Sequence, residues 1–489
     1  MISPDIIKSL SKKLIVVVSF VIALLFIISP IQGAINPSGS QPVSQTTATD
    51  LGKALNLTTA DSVVSTPDTA LSSTSNGTYD IGEVGNLHDL NIFTAEGFCD
   101  FFLLNEIYQT PAIQLPNLTI IPWLASSYAE TNVSSKGIQT FDPVTGCEEP
   151  VNYIWTVNIR PDVKWSDWTQ ANSNDTYVFS NNTQFVSTCG VSYNHTYQKY
   201  YDTITGTNQT WSPVTMKTYY LQAADFILSW KILFDSYDYS GEFQNIVNVV
   251  PVNNLTVEYY LSNNSATFVD CTMDTPPVIP YNVWSSHDYA STSGLWNYTP
   301  GLSASDSYND WELGYNPATG SIPGLVGNGP FMITGGFGQP AGKWISGDYW
   351  QIYANPDFFA SYYSSLSQYM PKISSIKDNF YAQYSSAVAA EQEGKIYSIV
   401  LPPPPSFIPT LSGIPDTYIY DKQSTGYNYI QLNSLPSNSP FNITALRQAL
   451  NYATDKTYIA DVIFEGYDIP GQSIVPVSDS IWHDSNISQ

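Results

Sequence analysis

"YIWTVNIRPDVKWSDWTQ", residues 153–170, is the stretch from which the rest of the chain can be read. Tyr153, Trp155, Val157 and Ile159 share one parity against mostly polar residues on the other, the period-2 pattern of a half-buried strand. Pro161 presets φ beyond that strand and Asp162 can bond the backbone after it. Val163 to Trp165 then resumes the apolar alternation, so the pattern predicts a β-hairpin. Arg160, Asp162, Lys164 and Asp167 crowd into a chain that is only 12% charged. A solvated turn accounts for them without any reactive centre.

Around this stretch lies a chain of 489 residues, long enough for two or three domains with sizeable cores. With 43% hydrophobic and 14% aromatic residues it is too apolar to be disordered. Its 42 Asp and Glu against 17 Lys and Arg argue against gripping nucleic acid or an anionic membrane through basic patches. Few Lys beside many Tyr, Ser, Thr and Asn also suits an acidic medium, because hydroxyls and amides keep their state when carboxylates protonate.

Lys8, Lys12 and Lys13 precede an apolar run, residues 14–26, broken only by Ser19, and Gly33-Ala34 follow. Residues 1–34 therefore read as a signal peptide or a retained N-terminal membrane anchor, the run being marginal for the roughly 20 residues of a bilayer span. Either reading puts the remainder outside the cytoplasm. Residues 35–78, rich in Ser and Thr, read as a tether. The acceptor pattern Asn-x-Ser/Thr occurs repeatedly beyond the export segment. Asn174, Asn181, Asn194 and Asn208 concentrate it in the polar stretch 169–220, expected to be a glycosylated insertion. Four cysteines allow three pairings; Cys147 with Cys189 is the expected disulfide, while Cys99 in "FCDFFLL" is as readily a buried thiol.

Farther along, residues 98–108 read as an apolar helix, and "AADFILSWKILF" places Ala223, Ile227, Trp230 and Phe234 on one helical face. "LPPPPSF", residues 401–407, reads as polyproline that fixes direction without a helix. "SPFNITALRQALNYATDKTYIADVIFEGY" supplies two helices: Leu446, Ala449, Leu450 and Ala453 are expected to face a core, Asp455 to cap the second helix and Gly466 to end it.

"IIPWLASSYAE", "YIWTVNIRPDVKWSDWT", "AADFILSWKIL", "GNGPFMIT" with "NPDFF", "AAEQEGKIYSIV" and "LRQALNYATDKTYIADVIFEGYDIPGQSIVPVS" occur in the order found in family 5 extracellular solute-binding proteins, which the chain resembles over about residues 79–477. The family comprises dipeptide and oligopeptide receptors of ABC importers and their oligosaccharide-binding relatives. Its hallmark usually reads Trp-Ser-Asp-Gly; Trp168 stands here in place of the glycine, which implies a rebuilt turn.

The resemblance implies an α/β, two-lobe periplasmic-binding-protein-like fold, type II with an enlarged lobe I. Lobe I would cover 79–375, and 376–489 would hold the first crossing, "IKDNFYAQ", and a partial lobe II. Because family members continue past the segment matching 474–477, lobe II is expected to be incomplete, and tight ligand binding to need a completing fragment. Glu96, Gly97 and Phe98 fall where peptide receptors place a cleft glutamate, and Tyr237 and Tyr239 where the family places cleft aromatics; a solvated loop and ordinary core or surface tyrosines are the plainer readings. The implied ligand is a peptide or an oligosaccharide, and the implied partners are an ABC permease and its ATPase.

Enzyme readings find little support. His88, His195, His287 and His483 stand alone, no HExxH or GxSxG occurs, and "GGFGQPAG", residues 335–342, lacks the Lys-Ser/Thr of a phosphate loop and reads as a surface turn. No cofactor is implied. The rival class is a glycosylated adhesion or surface-layer-associated protein that reuses the fold.

Overall fold

The computed structural model describes residues 77–484, apart from 93–94, 96, 143–146, 180–184, 187–191, 194–198, 203–206, 211–213, 234–239, 244, 286–312, 416, 420–423, 425, 436–438, 472 and 480–481. The expected signal or anchor, 1–34, and the expected tether, 35–78, thus lie outside the described residues except for Gly77 and Thr78, the latter opening the first strand. The described chain opens with β1 (Thr78–Val84) and α1 (Phe98–Ile107), then β2 (Ala125–Asn132) and β3 (Tyr153–Ile159). α2 (Ala223–Leu233) precedes β4 (Ile246–Asn253) and β5 (Thr256–Leu261). β6 (Phe331–Met332), β7 (Lys343–Ile345), β8 (Tyr349–Ala354) and β9 (Ser375–Tyr381) follow, then α3 (Tyr384–Gln392), β10 (Ser398–Ile399) and α4 (Thr444–Ala453).

One mixed sheet runs β6-β8-β9-β1-β10, with β7 beside β8. β1 is parallel to both β9 and β10, whereas β8 is antiparallel to β9. β9, α3 and β10 form a βαβ unit that straddles β1, because parallel strands need a crossover and α3 supplies it. Its close fit depends on Gly82, where a Cβ would lie 2.5 Å from Ile396 Cδ1 and 3.0 Å from the Tyr381 ring. The second sheet, β4-β5-β3-β2, is antiparallel throughout.

The parity of 153–159 does form a strand, but the hairpin is not there. β2 and β5 occupy both edges of β3, so the segment after the turn has no free edge to pair with. It runs instead against residues 219–221: Leu221 N donates to Val163 O, Trp165 N to Tyr219 O, and Lys164 bridges Tyr220. The left-handed residue of the turn is Asp162, at φ 64°. Nor are the charges merely solvated. Arg160 donates from Nε to Trp123 O and from Nη2 to Pro122 O, and its guanidinium lies 4.5 Å from the centre of the Tyr363 ring. Lys164 is 2.8 Å from Asp357 and sits over the Trp168 ring at 4.4 Å. Trp168 also stacks on Phe337, the side chain presented by the tight turn at Gly336–Gln339.

One hydrophobic core joins both sheets and α1 and α2, with Trp123, Trp165, Trp230, Trp284 and Trp350 fully buried in it. Burial of each such side chain contributes on the order of 2–3 kcal/mol, which explains how so aromatic a chain stays folded with few charges. Ala223, Ile227 and Trp230 are buried as their spacing predicts, while Phe234 lies outside the described residues. "GNGPF" closes α1: Gly329 N donates to Ile107 O at 2.8 Å, and Cβ atoms at Gly327 and Gly329 would fall 2.1 and 2.2 Å from the carbonyl oxygens of Ile107 and Glu106. Only glycine lets that backbone come so near.

The polar stretch 169–220 is rooted in an antiparallel pair, Thr176–Phe179 with Val214–Lys217. Beyond residue 400 one expectation fails in part and another outright: residues 402–404 stay extended, with Pro404 at φ −51° and ψ 143°, but the helix-free reading ends there. Pro405–Phe407 is a 3-10 turn leading into the short helix Ile408–Ser412, because prolines are tolerated in a first helical turn. α4 forms, but Leu446, Ala449, Leu450 and Ala453 are exposed rather than facing a core, since no element covers them among the described residues. Tyr418, Leu435 and Tyr452 are 92%, 94% and 87% exposed. The caps behave as read: the Asp455 side chain accepts from Tyr458 N at 2.9 Å, and Gly466, at φ 83°, donates to Ala460 O.

Candidate functional site

β1, β9 and β10 run parallel, and ligands of open α/β sheets bind in the crevice beyond the carboxyl ends of such strands. α1 starts beyond that end of β1, and α3 starts beyond that end of β9. Gly97 is the N-cap of α1, and its N–H donates to Asp100 Oδ2 at 3.1 Å. Asp100 Oδ1 accepts from His88 N at 2.8 Å and from Asp89 N at 3.3 Å, so one buried carboxylate ties the loop after β1 to the helix start. Burial raises its pKa and the three amides oppose that rise. Phe98, half-buried, stacks with Phe102 at 6.3 Å.

Gly97 and Phe98 therefore sit at a pinned helix start on the sheet's carboxyl edge. Glu96, Tyr237 and Tyr239 lie outside the described residues. Cys189 is also outside, so the Cys147–Cys189 pairing is not described; Cys99 is a buried free thiol and Cys271 a half-buried one. Asn174 is exposed, Asn208 lies on the described backbone of Thr207–Thr210, and Asn181 and Asn194 lie outside.

Sequence reasoning passed over the carboxyls beneath this edge. Glu83 on β1 and Asp378 on β9 are fully buried, and burial pushes both upward from the usual carboxylate range. Each occupies an apolar parity position, Tyr79-Ile81-Glu83 and Ile376-Asp378-Phe380, and a charge on that parity was the signal to follow. Burial also raises Glu106 to about 7, Asp274 to about 7 and Asp225 to about 8.

Residues 119–489 match the family model described as bacterial extracellular solute-binding proteins, family 5 middle. The chain belongs to this family. A periplasmic binding protein from Helicobacter pylori in complex with the peptide STSA shares 15% identity at a TM-score of 0.51, covering 84% of this chain and 63% of that one. The oligopeptide-binding protein AppA from Bacillus subtilis, bound to a nonapeptide, shares 16% identity at 0.49, covering 80% and 56%. A mannohexaose-bound periplasmic oligopeptide-binding protein from Thermotoga maritima shares 14% at 0.48, covering 82% and 56%. At such identities the likeness concerns the fold, which is the mixed α/β, two-lobe type of family 5 members. The chain spans less than two thirds of the length of these structures. No curated protein sequence matches it. Family 5 members are extracellular substrate-binding proteins rather than enzymes, and no helix of the described residues is long and apolar enough to cross a membrane.

Proposed function

We infer that the protein is the extracytoplasmic substrate-binding component of an ABC importer, capturing peptides and delivering them to a permease and its ATPase. The family match over residues 119–489 carries this reading. The pinned helix start at Gly97–Phe98, on the carboxyl edge of parallel strands, supports the position of the cleft. Peptide is preferred over oligosaccharide because "TAEGF", with Glu96, resembles the peptide receptors, and a carboxylate there can accept from a ligand's ammonium or amides. A thermal-shift screen of peptide and oligosaccharide libraries tests it. A ligand at a hundred times its Kd adds about 2.7 kcal/mol of stability, a shift such screens resolve. Stabilisation by oligosaccharides alone would reverse the ligand class, and stabilisation by neither would favour the adhesion or surface-layer reading.

The same reading includes export and N-glycosylation. Asn117, Asn132, Asn174, Asn263 and Asn442, all in acceptor patterns, are exposed. At Asn132 the geometry suits modification: its Oδ1 accepts from Ser134 N at 3.0 Å and from Ser134 Oγ at 2.7 Å, joining the acceptor amide to the hydroxyl of its own motif.

A further inference from the structure

We propose that Glu83 and Asp378 share a single proton and act as a pH-sensitive lock between β1 and β9, holding the sheet in acidic medium and loosening it when both carboxyls ionise. In the parallel register Ile81 aligns with Asp378 and Glu83 with Phe380. Aligned residues of a pair point to one face, so the two carboxyls are diagonal neighbours beneath α1. Both residues are 0% exposed, and none of their four oxygens receives an amide, hydroxyl or cation. Two ionised carboxylates in contact, dry and uncompensated, would repel strongly. A proton on one turns that acceptor into a donor to the other, and the pair then satisfies itself.

The surroundings offer little other compensation, a weak thiol hydrogen bond from Cys99 to Glu83 being the exception. From α1 the Cys99 thiol lies against Glu83, and Asp100 adds negative charge already committed to three backbone amides. From α3 comes the neutral phenol of Tyr384, and from the end of β9 that of Tyr381. His88 faces Asp100, and Asp80 acts on Tyr381 rather than on the pair. The nearby cations are engaged elsewhere, Lys377 over the Tyr349 ring at 4.4 Å and Lys395 with Glu393 at 2.6 Å.

The sign follows from linkage. Unfolded Asp and Glu release their protons near pH 4, whereas the native pair keeps one. The native state then binds more protons than the unfolded state, so stability is complete below about pH 4 and falls as pH rises until the pair ionises. Solvation of the carboxyls by ligand is not involved, so the inference stands apart from the transport reading.

The test is denaturant unfolding of the 489-residue chain from pH 3 to 8, for the wild type, Glu83→Gln, Asp378→Asn and the double variant. One retained proton steepens the unfolding constant by up to about tenfold per pH unit. The expected result is a wild-type slope larger than that of the double variant by up to this amount, with the double variant gaining relative stability toward pH 8. Equal slopes in wild type and double variant would overturn the proposal. Failure of all three variants to fold at any of these pH values would also overturn it, because the neutral pair keeps the volume and the hydrogen bond held to lock the sheet.

Discussion

Asp225 offers the sharpest check on how this structure handles buried acids. It is 2% exposed in the first turn of α2, its Oδ2 accepting from Gln222 N at 2.6 Å and its Oδ1 from Tyr281 N at 2.7 Å. One side chain thus holds the start of α2 and the start of the short helix Tyr281–Trp284. Asp225→Ala would leave one buried and one part-buried N–H group without acceptors, at up to about 1–3 kcal/mol each, so a loss of roughly 2–6 kcal/mol is expected. That is a large part of the 5–15 kcal/mol typical of a domain. Asp225→Asn behaves differently according to charge. Burial pushes Asp225 up to about 8, so at pH 5 it is the neutral acid, and asparagine then mimics its shape and one of its acceptors. The asparagine variant should lose no more than about half of what alanine loses at pH 5. Because the folded pKa is raised, the contribution of Asp225 is complete below about pH 4 and declines toward pH 8, so the gap between wild type and Asp225→Asn should narrow over that range. Denaturant midpoints across pH, with hydrogen exchange at Gln222 and Tyr281, provide the readout. Equal losses for alanine and asparagine at pH 5, or a gap that widens with pH, would show that the carboxylate is charged and the reasoning wrong.

Lys164→Met should cost only about 1 kcal/mol, since its ion pair with Asp357 is partly solvated, yet should change Trp168 fluorescence by removing the cation from the ring. Gly327→Ala should cost at least about 3 kcal/mol, read as a lower melting temperature, because its Cβ would meet the Ile107 carbonyl oxygen at 2.1 Å; an unchanged melting temperature would mean that the "GNGPF" closure is looser than described. Asn132→Gln should lower the intact mass of protein purified from its native host by one glycan, and a wild-type mass equal to the bare polypeptide would end the glycosylation reading.

Local pattern by itself determined much of this protein. The parity of residues 153–159, the apolar run of α1, the facing Ala223, Ile227 and Trp230 of α2, and the cap at Asp455 need only near neighbours in the chain, and each is present as read. The ordered motifs likewise sufficed for the family. What the sequence left undetermined depends on partners far along the chain. The hairpin after Pro161 fails because β2 and β5 fill both edges of β3, an occupancy that no local pattern records. α4 carries a core-like stripe, yet a stripe fixes which face is apolar and not whether anything lies against it. Glu83 and Asp378 look like two isolated acids on apolar parities; only the parallel register of β1 with β9 puts them side by side, out of water, where one proton must serve both.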